Sequence, residues 1–204
     1  MSFYSERVLP HLLNLAMRHK DLAAYRSRVV QAAQGRVLEI GVGSGLNLPF
    51  YGAGITEVIG LDPSPSLLRM AERRVTRDRF PVKMVLGSAE VIPLEDAGFD
   101  TVLTTWTLCS IPEAAAALTE IRRVLKPSGA LLFVEHGRAP DPRVARWQDR
   151  LTPRWKPFAG GCHLNRPIDG LIRQSGFKLD ELRMGYMPGP KPFTFMYEGR
   201  AVHA

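Results

Sequence analysis

Residues 37–47 read Val-Leu-Glu-Ile-Gly-Val-Gly-Ser-Gly-Leu-Asn, a mostly apolar run followed by three glycines at alternate positions. A short apolar run that ends at glycine is typical of a buried strand. Glycine lets the backbone turn sharply and approach a ligand, and open α/β proteins bind ligands at the carboxyl edge of parallel strands. The stretch therefore predicts a strand and a tight turn with a ligand site. A turn with a purely structural role is the alternative.

Short apolar runs alternate with helical periods on the carboxyl side of this turn. They predict strands at 37–40, 57–61, 82–86, 101–103 and 130–134, with helices at 64–77 and 112–125. The second helix is predicted to end in a turn at 126–129, Lys-Pro-Ser-Gly. Such alternation predicts a parallel sheet built from βαβ units. A helix near 167–175 and two antiparallel strands, around 177–184 and 193–198, complete the predicted elements.

The two remaining segments flank this alternating pattern. Residues 1–35 have apolar positions at helical spacing and predict a helical cap that covers part of the domain, with Asp21 capping a second helix. Residues 138–166 form an insertion rich in tryptophan, proline and glycine. Since neither repeats nor linkers interrupt the chain, residues 1–204 are predicted to form a single domain.

Length and composition exclude several classes of protein. With 204 residues, 45% hydrophobic and 23% charged, the chain fits one soluble domain and excludes disorder, collagen and disulfide scaffolds. The opening stretch is interrupted by polar residues and a proline, which exclude a bilayer-spanning segment: Glu6, Arg7, Pro10, His11 and Asn14. It also lacks the basic start and continuous apolar segment of a signal peptide, so we expect the mature chain to start at Met1. Cys109 and Cys162 lack paired spacing, which favours neither zinc nor a disulfide framework and indicates a reducing, cytoplasmic location.

The charge balance is basic, with 27 basic against 20 acidic residues, a net charge of +7 and a pI near 9.8. Such a balance favours anionic partners. The arginines are spread over the predicted helices, mostly where they would face water, and no nucleic-acid-binding motif accompanies them. We therefore expect a solvated basic surface and no nucleic-acid partner. The arginines in question are Arg26, Arg28, Arg69, Arg73, Arg74, Arg77, Arg122, Arg123, Arg143, Arg146 and Arg150.

The glycine turn distinguishes between two cofactors. A dinucleotide fingerprint, GxGxxG, needs its third glycine at position 46, which is Leu46. The spacing found here, with Glu39 two residues before Gly41, instead resembles motif I of the class I S-adenosylmethionine-dependent methyltransferases. Asp62, at the end of the second predicted strand and followed by Pro63, is placed where a carboxylate accepts both ribose hydroxyls of either cofactor.

Further motifs of the same family follow in order, over roughly residues 36–136. The segments 87–94, 99–102 and 123–132 resemble its third-strand exit, fourth strand and approach to the fifth strand. The resemblance, to the type 11 group, implies a Rossmann-like, mostly parallel seven-stranded sheet with helices on both faces and an antiparallel C-terminal strand. It implies S-adenosylmethionine as cofactor and S-adenosylhomocysteine as product. Residues 88–90 are implied to contact the adenine, with a plain polar loop as the alternative. The implied cofactor residues are Glu39, Gly41, Gly43, Gly45, Asn47, Asp62, Pro63, Ser88, Ala89, Glu90 and Thr105.

Residues 105–108, Thr-Trp-Thr-Leu, occupy the position where amino-directed members of this fold carry an Asn/Asp-Pro-Pro-aromatic motif. That difference argues against planar exocyclic amines as methyl acceptors. Trp106 is then either a wall of the substrate pocket or a core aromatic.

A narrower resemblance is carried by Glu135-His136, the tryptophan-bearing insertion, residues 161–166 and residues 175–177. Together they resemble the methyltransferase-like subgroup that includes the membrane-associated thiol S-methyltransferases of animals. The apolar amino-terminal anchor of those proteins is missing from this sequence, so their membrane location is not carried over. Within the family, quinone C-methylation and phospholipid N-methylation stay open as reactions. Outside it, two classes stay open: a non-catalytic cofactor-binding protein, and a nicotinamide-dependent oxidoreductase, which the absence of a Tyr-x-x-x-Lys pair disfavours.

The insertion is predicted to be either a helix packed on the core or an apolar lid over the substrate, which could also touch a membrane surface. Thr152-Pro153 predicts the cap and first position of a further turn.

We expect a small, largely apolar acceptor, with a thiol first, because a thiol with a pKa near 8.5 needs only modest activation. Candidate bases are His136 and His163, with structural or surface roles as the alternative. Candidate substrate contacts are Trp106, Trp147, Cys162 and Arg166, and no metal is expected, because these cysteines and histidines lack tight ligand spacing. The oligomeric state does not follow from the sequence.

Overall fold

The computed structural model describes residues 8–76 and 79–204 and contains one seven-stranded sheet. The strand order is β3-β2-β1-β4-β5-β7-β6. Strands β1 to β5 are parallel, whereas β7 runs antiparallel to both of its neighbours. The predicted fold class is therefore confirmed. The strands are β1 (Gly35–Ile40), β2 (Ile55–Asp62), β3 (Val82–Leu86), β4 (Phe99–Thr105), β5 (Leu125–His136), β6 (Phe177–Tyr186) and β7 (Phe195–His203).

Six α-helices connect and cover these strands in the described ranges. Local sequence accounts for two of their starts: the Ser64 hydroxyl accepts the Leu67 N–H, and the Asp141 carboxylate accepts the Arg143 N–H. Among the described residues, no helix has the length and apolar character needed to cross a bilayer. The helices are α1 (Leu9–Ala16), α2 (Lys20–Gln31), α3 (Pro65–Glu72), α4 (Ala114–Val124), α5 (Pro142–Trp155) and α6 (Ile168–Gln174).

Alternate residues of the central strands enter two apolar clusters, because successive side chains of a strand point to opposite faces. Leu38 of β1 packs in the cluster that contains Leu118 and Ile121 of α4. Val37, its neighbour, packs in the cluster that contains Val29 and Val30 of α2. The sheet is therefore covered on both faces, and its carboxyl edge is left for a site.

Several predicted boundaries were wrong at the helix ends. His19, not Asp21, caps α2, because its Nδ1 accepts the Asp21 N–H and places Asp21 in the first turn. Helix α5 continues through Pro153 to Trp155, and the Thr152 hydroxyl bonds back to the Gln148 carbonyl at 2.7 Å instead of capping a new turn.

Two further differences concern the segment 126–129 and the helix predicted at 64–77. The predicted turn 126–129 lies within β5, where the pairing moves from Phe99–Leu125 to Thr101–Ala130 and leaves four residues out of the ladder. The helix predicted at 64–77 is too long, because α3 ends at Glu72 with Arg73 as its C-cap. Arg77 itself, the polar residues Glu6 and Arg7, and the beginning of the cap 1–35 lie outside the described residues.

Candidate functional site

A cavity of about 530 Å³ opens at the carboxyl ends of β1, β2 and β4. Cavities of this size are typical of small-molecule sites, and their position at the switch point of a parallel sheet is the one expected for α/β proteins. Its walls come from the glycine turn, the loops after β2, β3 and β4, and three more distant parts: α1, Arg26 of α2, and residues 159–161.

The three glycines of the turn have different roles. All three have positive φ, +69° at Gly41, +56° at Gly43 and +77° at Gly45, which L side chains rarely adopt. A Cβ at Gly41 would lie 2.3 Å from the Thr107 hydroxyl, and one at Gly45 would lie 3.0 Å from Ala71 of α3. A Cβ at Gly43 would meet only the Gly41 carbonyl, at 3.8 Å. Gly41 and Gly43 line the cavity, whereas Gly45 packs on α3.

Asp62 ends β2 at the cavity wall with both carboxylate oxygens oriented by backbone donors. Its Oδ2 accepts the Gly43 N–H at 2.9 Å, and its Oδ1 accepts the Ser64 N–H at 2.8 Å. Burial raises the pKa of Asp62, and these two hydrogen bonds oppose the rise. Each oxygen keeps a lone pair for a further donor. Pro63 lines the cavity beside it.

Glu39 lies beneath the turn and does not line the cavity. Its Oε1 accepts the Asn47 Nδ2 at 2.8 Å, and its Oε2 accepts the Tyr51 hydroxyl at 2.7 Å. Burial raises the pKa of Glu39 to about 7, against the lowering effect of these bonds and of Arg26. Asn47, which does line the cavity, also donates to the Thr105 hydroxyl at 3.0 Å. In the described part of the chain, the Oδ1 atom of Asn47 is buried without a partner.

Arg26 is the site residue that sequence reasoning missed. Predicted to face water, it is only 4% exposed and lines the cavity. Its Nη1 donates to the Met17 carbonyl at 2.9 Å, and its guanidinium lies 4.7 Å from the centre of the Trp106 ring. Burial lowers its pKa to about 10, so it keeps its charge at neutral pH. The spacing of Arg26, Val29 and Val30 at i, i+3 and i+4 was the available signal, since the valines form the buried face of α2.

Trp106 lines the cavity with a strained backbone. Its φ is +53°, and its N–H donates to the Val134 carbonyl at 2.8 Å. A positive φ is unusual for an aromatic residue and tends to occur at functional sites. The structure supports both sequence-based interpretations of Trp106, because the residue lines the cavity next to Thr105 and also packs against the apolar cluster that contains Val29 and Val30.

The loop after β3 brings Ser88, Ala89 and Glu90 to the opposite side of the cavity. The Ser88 hydroxyl donates to Glu90 Oε2 at 2.9 Å, and Glu90 Oε1 accepts the Glu113 N–H at 2.9 Å. These contacts fix the loop against the start of α4.

Helix α1 and the residue that follows it line the cavity with Leu9, Pro10, Leu13, Asn14 and Met17. The cap predicted for residues 1–35 therefore covers this site over its described part. The sequence indicated that the cap covers something but did not show which surface.

The insertion contributes less to the cavity than its sequence suggested. Only residues 159–161 reach the wall. Helix α5 packs on the domain through Val144, Gln148 and Thr152, at i, i+4 and i+8. Trp147 lies on another face, is 56% exposed, and does not line the cavity. The structure thus corrects the expectation that Trp147 contacts substrate.

The remaining candidate residues lie behind the wall. His136 is buried, and its Nδ1 lies 3.6 Å from the Cys162 sulfur, which is itself 3.6 Å from the Cys109 sulfur. His163 contacts the Cys109 carbonyl through its backbone N–H at 2.8 Å and through Nδ1 at 3.1 Å. Arg166 donates to the carbonyls of Leu108, Ile111 and Pro112, so its guanidinium holds the loop after β4. None of His136, Cys162, His163 and Arg166 lines the cavity.

The residues present fit the cofactor expected from the sequence. Asp62 offers lone pairs for ribose hydroxyls, and Asn47 lines the cavity beside the glycine turn. Arg26 offers a cation for a carboxylate, and Gly43 leaves room for a ligand to approach the backbone. Ser88 and Glu90 supply polar atoms at the other end.

Comparison with known proteins agrees with this reading. Residues 38–133 match the family described as methyltransferase domain. A thiol S-methyltransferase of Rattus norvegicus is 36% identical over 161 residues, which cover 76% of this chain and 64% of that protein. A demethylmenaquinone methyltransferase of Lactiplantibacillus plantarum is 39% identical over 99 residues, 47% of this chain and 42% of that protein. The chain therefore spans a little under two thirds of the length of the first of these relatives.

Solved structures show the same fold. A crystal structure of an S-adenosylmethionine-dependent methyltransferase from Thermotoga maritima superposes with a TM-score of 0.68 at 24% identity, and the match covers 95% of this chain and 94% of that chain. At this identity the likeness establishes the fold alone.

Proposed function

The chain belongs to the family of S-adenosylmethionine-dependent methyltransferases that share the domain of residues 38–133, and we propose that it transfers a methyl group to a small, largely apolar thiol. Arg26, Asn47, Asp62 and the loop 88–90 would hold the cofactor. When bound, S-adenosylmethionine supplies an electrophilic methyl group on a sulfonium.

The observation that carries the thiol assignment is the chemistry of the cavity wall. Its ionisable side chains, in the described ranges, are Arg26, Asp62 and Glu90, and no histidine is among them. Asp62 and Glu90 are already engaged by backbone donors. A hydroxyl or carbon acceptor depends on a base at the reacting atom, whereas a thiol ionises near neutral pH without one. His136 and His163, the bases suggested by the sequence, lie behind the wall.

The apolar lining supports the same acceptor class. The cavity wall includes the apolar side chains of Leu9, Leu13, Trp106 and Ile111. Such walls exclude water and favour a nucleophile with an apolar body. The name of the rat relative supports the thiol, although the relative extends beyond the matched region. Quinone methylation is the second candidate, because the demethylmenaquinone methyltransferase of Lactiplantibacillus plantarum is 39% identical over 99 residues.

The cofactor half is tested by thermal denaturation. We expect S-adenosylhomocysteine at 100 times its Kd to add about 2.7 kcal/mol of stability, and NADH to add none. The variant Asp62→Ala should weaken cofactor binding by roughly 1.5–3 kcal/mol, because two hydroxyl groups lose a charged partner. A shift with NADH alone would overturn the assignment.

The acceptor half is tested with tritiated methyl transfer to an alkyl thiol, an aryl thiol, a demethylated quinone and an amine lipid. We expect product from the thiols, with a rate that rises through each thiol's own pKa, because the thiolate attacks. The profile of the more acidic aryl thiol should level off at lower pH. Product from the quinone or the lipid alone would overturn the thiol assignment and leave the cofactor assignment intact.

We also propose a cytoplasmic location, since the spacing of Cys109 and Cys162 in the sequence is not that of a disulfide framework. Cell fractionation tests this proposal, and recovery in the membrane fraction would contradict it.

A further inference from the structure

Three side chains of metal-binding type converge behind the cavity, each from a different part of the fold. Cys109 lies in the loop after β4, His136 ends β5, and Cys162 follows α5. The two sulfurs are 3.6 Å apart, and the Cys162 sulfur lies 3.6 Å from His136 Nδ1. The ligand-type atoms of the three residues all lie within 4.8 Å of one another. The sequence concealed this cluster, because its two cysteines are 53 positions apart.

These separations match the edges of a zinc coordination tetrahedron. Zinc bonds of about 2.3 Å to sulfur and about 2.0–2.1 Å to nitrogen place two sulfurs about 3.7 Å apart and a sulfur and a nitrogen about 3.5 Å apart. Two of the three edges are therefore already formed. The third, between Cys109 and His136, is no longer than 4.8 Å, so it needs a displacement of at most about 1.3 Å.

The imidazole of His136 is buried beside the two sulfurs. The residue is 6% exposed, its Nδ1 lies 3.6 Å from the Cys162 sulfur, and its Nε2 has no partner within the described ranges. A buried imidazole with neither nitrogen in a strong hydrogen bond is costly. A metal on one nitrogen would supply the strong interaction that the protein does not.

We propose that Cys109, His136 and Cys162 form a binding site for Zn²⁺, with two thiolates and one imidazole as ligands. Both thiols lose their protons to solvent when the metal binds, so the two thiolate charges balance the charge of the ion. Three protein ligands leave a fourth position for water or another exogenous ligand.

The site would join the two loops that form one side of the cavity. Ser110 and Gly161, the neighbours of the two cysteines, both line the wall. The hydrogen bond from the His163 N–H to the Cys109 carbonyl already links these loops at 2.8 Å. A metal at the cluster would therefore fix the wall across which the acceptor enters, whatever the acceptor is.

The two sulfurs are also close enough to suggest a disulfide. Oxidation by a small disulfide, such as oxidised glutathione, would form the Cys109–Cys162 bond and reduce that oxidant to two thiols. This alternative leaves His136 without a role, so the geometry favours the metal, and the experiment separates the two.

The test is metal binding by tag-free protein, reduced with a phosphine and titrated with Zn²⁺ in competition with a chromophoric chelator. We expect one equivalent to bind with a Kd below about 1 µM. With Co²⁺ in its place we expect thiolate-to-metal charge-transfer absorption. Cys162→Ser, Cys109→Ser and His136→Asn should each weaken binding at least roughly 100-fold. His11→Ala, which removes an exposed imidazole from α1, should leave it unchanged.

A cooperative thermal melting transition reports whether each variant is folded, and Cys162→Ser, at the partly exposed cysteine, serves if the buried variants do not fold. The proposal is overturned if reduced protein binds no zinc below about 10 µM, or if folded Cys162→Ser binds it like the parent. Loss of both thiols to oxidised glutathione, without zinc binding, would assign a redox pair instead. None of these measurements depends on methyl transfer, so their failure is distinct from a failure of the proposed function.

Discussion

The side-chain oxygen of Asn14 in α1 accepts a hydrogen bond from the Ser44 hydroxyl in the glycine turn at 2.8 Å. The same oxygen accepts from Arg74 Nη2 at 3.0 Å. Helix α1 has only eight residues, too few to be stable alone, so its position depends on such tertiary contacts. The Asn14–Ser44 pair thus connects the cover of the cavity to the turn that forms its floor.

We expect Asn14→Ala to weaken the binding of S-adenosylhomocysteine roughly 3–10-fold, mainly through faster dissociation. The reason is the loss of a hydrogen bond worth about 0.5–1.5 kcal/mol that holds α1 over the cavity. Stopped-flow displacement measures the dissociation rate. Asn14→Asp keeps an acceptor for both donors and should stay within about twofold of the parent. Equal weakening in both variants would mean that the hydrogen bond does not hold the cover.

Substitutions at three glycines should separate binding from stability. Gly43→Ala should lower the stability only through the strain of its positive φ, about 1–2 kcal/mol. Its methyl group would lie at the cavity wall, so we expect at least about a tenfold loss of cofactor affinity. Gly41→Ala adds a clash with Thr107 and should unfold more readily than Gly43→Ala. Gly52→Ala, whose Cβ would meet only a carbonyl at 3.8 Å, is the neutral control. Calorimetric titration and urea unfolding measure both quantities, and unchanged affinity in Gly43→Ala would contradict the placement.

The order of the elements could be predicted because each left a local signal in the sequence. The glycine turn and the acid at the end of β2 mark strand ends, and four motifs in family order specified the sheet. The end of helix α5 could not be predicted from the sequence, because Pro153 normally marks a helix boundary. The helix continues past it to Trp155, and the tertiary packing of Val144 and Gln148 explains why.

The site could be predicted only where its residues follow strand ends. Asp62 and Gly43 were found because the carboxyl edge of a parallel sheet brings such positions together. The cluster of Cys109, His136 and Cys162 was missed, because contacts between segments far apart in the chain leave no spacing signal. Arg26 was missed although its spacing with Val29 and Val30 places it on the buried face of α2. Trp147 was assigned to the substrate from its residue type, but it is exposed on a face of α5 that does not line the cavity.

The pH dependence of stability should show the burial of Glu39. The pKa of this carboxyl is about 7 in the folded protein and 4.5 in the unfolded reference. Between these values the folded state binds more protons, so the stability that Glu39 contributes is present below about pH 4.5 and is lost as pH rises through 7. We expect the unfolding free energy of the parent, relative to Glu39→Gln, to fall by about 2–3 kcal/mol from pH 5 to pH 8. Glu135 titrates in both proteins and cancels. A constant difference in urea unfolding at the two pH values would contradict the raised pKa.

The two tryptophans assigned to substrate from sequence should now behave differently. Trp106 lines the cavity, so Trp106→Ala should raise the KM for a thiol acceptor about tenfold, because the acceptor loses an apolar wall. Trp106→Phe keeps an aromatic ring beside Arg26, so its KM should fall between those of the parent and Trp106→Ala. This variant separates the loss of an apolar wall from the exposure of the Arg26 guanidinium. Trp147 is 56% exposed on α5, so Trp147→Ala should change neither KM nor the Kd of S-adenosylhomocysteine by more than about twofold. Steady-state kinetics at saturating cofactor measure KM, and calorimetry measures Kd. An increase in KM for Trp147→Ala as large as that for Trp106→Ala would mean that α5 moves over the cavity during turnover, as the aromatic composition of the insertion had indicated.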